Sequence, residues 1–143
     1  MGRLKNTVKE LVCDREFWID LALAVSPWAA FTAEHVLTGR SHIPYEYEEI
    51  IQHLARGPIG SKIVTTLVKN CKERELTPKE ELAYSTLGGL LSGSLWELRQ
   101  EITRHIPYLS KFTERYEFYK TVKDIFYTTV GGFIRGRYKS IKL

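Results

Sequence analysis

The chain has 143 residues, of which 43% are hydrophobic and 27% charged, the size and composition of one globular domain, so collagen-like, low-complexity and wholly disordered classes are excluded. Its net charge of +4 gathers at the ends: residues 111–143 carry eight basic residues against three acids, residues 1–13 carry three against one, and the centre is mildly acidic. Two cysteines, Cys13 and Cys71, exclude a disulfide framework and point to a reducing compartment.

The first 13 residues are polar and basic, without the continuous apolar core of a signal peptide, and Val8, Leu11 and Val12 form one helical face. Asp14 is placed to cap a helix opening Arg15-Glu16-Phe17-Trp18. The run from Phe17 to Ala33 comes nearest to a membrane segment, but Asp20 interrupts it and Ser26-Pro27 reads as a cap followed by proline at a first helical position. Two buried helices are therefore expected there, the second closing at Gly39. A helix with Ile50, Ile51 and Leu54 is expected to end at Gly57-Pro58, and another carries Ile59, Ile63, Val64, Leu67 and Val68.

Thr77-Pro78-Lys79-Glu80 is a capping box, and it opens a long helix with Leu82, Leu87, Leu90, Leu91, Leu95, Leu98 and Ile102 that Pro107 ends or kinks. The last segment places Phe112, Tyr116, Tyr119, Val122, Phe126, Val130 and Phe133 at helical spacing. No stretch alternates as a strand would. The expectation is an all-α bundle of five to seven helices in a single domain, residues 1–143. A basic N-terminal segment (1–13) and a basic C-terminal tail (134–143), the latter following Gly131-Gly132, flank it.

No catalytic signature is present. Neither cysteine has a His or Asn nearby in sequence, Ser26 sits in a Ser-Pro pair, and Arg56-Gly57-Pro58-Ile59-Gly60-Ser61-Lys62 lacks the spacing of a phosphate loop. Glu49 and His53 are four apart, as are Glu101 and His105, and both read as exposed helix pairs, because the three-residue Glu–His spacing of helical di-metal sites is missing. The expectation is a non-enzyme with no metal and no cofactor.

Two patterns point to contacts. Gly88, Gly89 and Gly93 lie inside a helix, where each costs about 1 kcal/mol relative to Ala. Gly132 and Gly136 repeat the four-residue spacing. Small residues so placed let a second backbone come close, either within the fold or in self-association. Basic residues interleaved with aromatics make Arg3, Lys5, Lys9, Lys120, Lys123, Arg135, Arg137 and Lys139 candidate phosphate contacts without sequence preference.

A small Tyr-rich helical chain with the Gly57-Pro58-Ile59-Gly60 break and basic segments at Arg3 to Lys9 and Arg135 to Lys142 resembles the α-helical coat proteins of archaeal rod-shaped and filamentous viruses. The resemblance implies a structural coat or nucleocapsid protein that self-assembles on double-stranded DNA as a homo- or hetero-oligomer in a filament, in a virion or intracellular nucleoprotein, with a lipid envelope as a further contact. The N-terminal arm is shorter and less basic than in the rod-shaped members. The alternatives are a helical adaptor or regulatory protein, a peripheral membrane-binding protein and, last, a small enzyme with a spatially assembled site.

Overall fold

The computed structural model describes residues 2–40, 42–108 and 118–142, and these form five helices: α1 (Gly2–Cys13), α2 (Arg15–Thr38), α3 (Tyr45–Lys72), α4 (Pro78–Arg104) and α5 (Phe118–Lys142). The expected caps are in place. The Asp14 carboxylate accepts from the Glu16 amide at 2.9 Å, and Gly39 closes α2 at φ 72°. At the start of α4, Thr77 Oγ1 accepts from the Glu80 amide at 3.3 Å while the Glu80 carboxylate accepts from the Thr77 amide at 3.1 Å.

Two expected boundaries are absent. Pro27 lies inside α2 and Pro58 inside α3. Ser26 does not cap a new helix; its hydroxyl bonds back to the Ala22 carbonyl of the same helix at 2.5 Å. Pro58 cannot donate to the Leu54 carbonyl, and that carbonyl faces Gly131 of α5, where an added Cβ would stand 2.2 Å from it. The freed acceptor thus faces the Cα of Gly131 on a neighbouring helix. The C-terminal basic residues are likewise no separate tail: α5 runs unbroken through Gly131-Gly132 to Lys142. The N-terminal basic segment is helix α1, held on α3 by Asn70 Nδ2 donating to Thr7 Oγ1 at 2.9 Å and by Arg3 donating to the Cys71 carbonyl at 3.3 Å.

The centre of the molecule is where α3, α4 and α5 cross, and each helix brings a row of small or polar residues spaced by four. Glu49, His53, Gly57, Ser61 and Thr65 line α3; Ser85, Gly89, Gly93 and Glu97 line α4; Asp124, Thr128, Gly132 and Gly136 line α5; all are buried. A residue every four positions stays on one helix face, so each row is a continuous inward stripe. The helices meet backbone to backbone. A Cβ on Gly60 would lie 2.3 Å from the Gly88 carbonyl oxygen, and one on Gly132 2.6 Å from that of Ser85. Ser61 fills the middle of the crossing, donating to the Ser85 carbonyl at 2.6 Å.

The large apolar side chains point the other way. Among the described residues the buried hydrophobic ones are Leu11, Ala55 and Leu76. Trp18, Leu23 and Trp28 on α2, Leu91, Leu95 and Ile102 on α4, and Val122, Phe126 and Ile141 on α5 are all exposed. The accessible surface is 9484 Å². A compact water-soluble chain of this mass exposes about 7,600 Å².

Candidate functional site

Charged side chains enter the interior in two layers, one on each side of the glycine crossing. In the first, Arg135 of α5 is buried against three carboxylates, Glu16 at 2.8 Å and Asp20 at 3.4 Å on α2, and Glu81 at 3.7 Å on α4. Lys139 pairs with the same Glu16, and Lys62 of α3 pairs with Asp14 at 2.7 Å. The hydrogen bond from Lys62 holds the Asp14 carboxyl below the ordinary carboxylate range, against a smaller opposing effect of burial.

The second layer is the chemically richer one. Glu49 and His53 descend from α3, Glu97 from α4 and Asp124 from α5, and all four are buried. His53 Nε2 pairs with Asp124 Oδ1 at 3.1 Å, and this contact holds the Asp124 carboxyl down against the larger opposing effect of burial, while Glu97 Oε1 is buried without a donor. Burial, and then the neighbouring Asp124 carboxyl, push the Glu97 pKa up to about 7. Lys123 Nζ lies 3.4 Å from Glu49 Oε2. Arg56 Nη1 is 3.2 Å from His53 Nδ1, and its other arm donates to Gln52 at 3.3 Å. The Arg56 guanidinium stacks on Trp96 at 3.8 Å from the ring centre, and Arg99 stands over the same ring at 4.1 Å.

A cavity of about 360 Å³ between α2, α3 and α4 is lined by Trp28, His35, Glu48 and Gln100 together with Glu49 and His53 of this cluster. Glu49, His53 and Asp124 each offer a ligand atom, and these atoms lie within 4.8 Å of one another. The arrangement can therefore hold a cation or move a proton between paired acids.

The expected exposed pair Glu49–His53 is thus corrected: both side chains are interior, because α3 turns that face toward α5. Glu101 and His105 do form an exposed pair, at 3.0 Å. Of the expected phosphate contacts, Arg135 is buried under carboxylates, and Lys123 and Lys139 are engaged with Glu49 and Glu16. Arg3 pairs with Glu73 at 3.4 Å. Lys5 and Lys9 lie on the exposed side of α1, Arg137 is exposed near the end of α5, and Lys120 is partly covered on its first turn. The eight are not gathered on one face. Gly88, Gly89, Gly93, Gly132 and Gly136, expected to serve self-association, approach other helices of the same chain, so those contacts are already occupied.

From the sequence, Glu97 reads only as a continuation of the four-residue row Ser85, Gly89 and Gly93, and Asp124 has no assigned role. The available signal was a lone acid four residues from the small-residue row on each helix, Glu97 after Gly93 and Asp124 before Thr128. Comparisons with family models, with curated proteins and with solved structures found no match to this chain.

Proposed function

We propose that the chain is a helical bundle that works embedded in lipid, enclosing a polar acid–histidine cluster. The observation that carries this reading is the inverted distribution of side chains: charges, hydroxyls and glycines inside, leucines and aromatics outside. In water, burying large apolar groups is the main driving force for folding, and this bundle leaves most of them uncovered. In lipid, helices associate through small residues that allow close backbone packing, and ionisable groups turn inward to pair.

The dimensions agree. Exposed apolar residues run from Trp18 to Leu37 on α2 and from Phe118 to Ile141 on α5. At 1.5 Å per residue these stripes are about 29 and 35 Å long, against a hydrocarbon thickness of about 30 Å. No helix among the described residues is long and apolar enough to cross a membrane. Each helix joins an apolar outer face to a polar inner one, so its mean hydropathy stays low.

A DNA-coating role draws on Lys5, Lys9 and Arg137, whereas Arg135, Lys123 and Lys139 are engaged with acids of the same chain. Lipid therefore stands ahead of nucleic acid as the partner. The test is fractionation of cells expressing the full chain. The expected result is sedimentation with membranes, resistance to alkaline carbonate and high salt, and release by mild detergent. Recovery as a monodisperse species in detergent-free buffer overturns the lipid reading, and salt-sensitive binding to random double-stranded DNA restores the nucleoprotein one.

A further inference from the structure

We infer that Glu49, His53 and Asp124 hold one divalent transition-metal ion, with the Glu97 carboxyl beside them. The inference does not depend on the lipid reading, since the cluster is interior whatever covers the outside. Its first support is spacing: one imidazole nitrogen and two carboxylate oxygens from two helices lie within 4.8 Å of one another. Ligands about 2.0–2.1 Å from a tetrahedral ion stand about 3.3 Å apart along each edge. The 3.1 Å separation of His53 Nε2 from Asp124 Oδ1 is close to such an edge.

The second support is independent. Glu97 Oε1 is buried with no hydrogen-bond donor, on a residue more than nine-tenths covered, and the neighbouring Asp124 Oδ1 faces only the His53 ring. Buried acceptors without donors are costly, and a cation satisfies several at once.

Loading the site moves two neighbours. Lys123 leaves Glu49, which is feasible because its contact is long at 3.4 Å and its side chain reaches solvent. Arg56 releases His53 Nδ1 and keeps Gln52 and Trp96. The ion enters through the cavity of about 360 Å³, whose walls include Glu49 and His53. One imidazole with carboxylates suits Zn²⁺, Fe²⁺ or Mn²⁺, and the absence of sulfur from the set disfavours Cu⁺.

The experiment uses the full chain, purified, stripped with chelator and titrated with Zn²⁺ by calorimetry and with Co²⁺ by visible absorption and proton NMR. One ion per chain is expected, with the His53 ring, among the four histidines, being the one shifted by Co²⁺. His53→Ala and Asp124→Asn should each weaken binding at least about tenfold. His42→Ala, which alters a surface pair with Glu34 at 2.7 Å, should not. The NMR readout needs no variant, so it decides even where His53→Ala fails to fold. Absence of binding at about 100 µM metal, or a shift at His42 or His105 in place of His53, overturns the proposal and leaves a buried acid–histidine cluster without an ion as the description.

Discussion

At the residue scale, the glycines at the crossing and the cap at Asp14 set the sharpest expectations. A methyl group on Gly132 would meet the Ser85 carbonyl at 2.6 Å and the Gly89 Cα at 2.8 Å, both backbone atoms that cannot rotate away. Gly132→Ala is therefore expected to destabilise the bundle by about 3 kcal/mol, read as a lowered thermal midpoint by circular dichroism. Gly2→Ala, where nothing lies within 4 Å, should leave that midpoint nearly unchanged. Asp14 caps α2 and also pairs with Lys62. Asp14→Ala removes both and should cost about 1 kcal/mol for the cap alone, whereas Asp14→Asn keeps the cap and loses only the ion pair. Because folding lowers the Asp14 pKa below its ordinary value of 3.8, its contribution to stability is present above that value and is lost as the pH falls through the folded-state pKa. Acid titration of stability should therefore be shallower for Asp14→Asn than for the native chain, and identical curves would mean that the Lys62 contact contributes nothing.

At the element scale, local chemistry predicted well and non-local packing predicted poorly. The capping box at Thr77 and Glu80 and the left-handed Gly39 are set by residues within a few positions of one another, so the sequence displays them directly. Thr77→Ala should accordingly loosen the start of α4 and lower stability by about 1 kcal/mol, with faster amide exchange confined to the first turn. Pro27 and Pro58 misled for the opposite reason. Each lacks one helical hydrogen bond, which locally argues for a boundary, but flanking turns and a neighbouring helix hold the axis together. At Pro58 the compensating group is Gly131, 73 positions away in sequence, and no local pattern reveals that pairing. The candidate site was half visible for the same reason. Glu49 and His53 share a helix face by their spacing, but Glu97 and Asp124 join them only through the crossing of three helices. The periodic leucines of α4 showed a helix correctly, while which of its faces turns inward was decided by the glycine row opposite them.

At the scale of the whole molecule, composition conceals the feature that matters most. A chain that is 43% hydrophobic suits an ordinary soluble domain, and that fraction says nothing about which side of each helix the apolar groups occupy. Here the central helices place small and charged residues against one another and turn Leu95, Leu98 and Phe126 outward, so the medium around the bundle must supply what a hydrophobic core supplies elsewhere. The triple variant Leu95→Glu, Leu98→Glu, Phe126→Glu separates the possible media, because its side chains touch the surroundings and not the interior. In water, added surface charge should leave folding intact and raise solubility. In lipid, each charged residue deep in the hydrocarbon costs about 3 kcal/mol, so the variant should lose most of its membrane-bound fraction and accumulate as aggregate or degraded chain. The matched substitutions Leu95→Ile, Leu98→Ile and Phe126→Leu keep the apolar face and should behave as the native chain does. A charged variant that stays folded, monodisperse and soluble without detergent would show that water bathes this face, and the inverted bundle would then have to be explained by another protein that covers it.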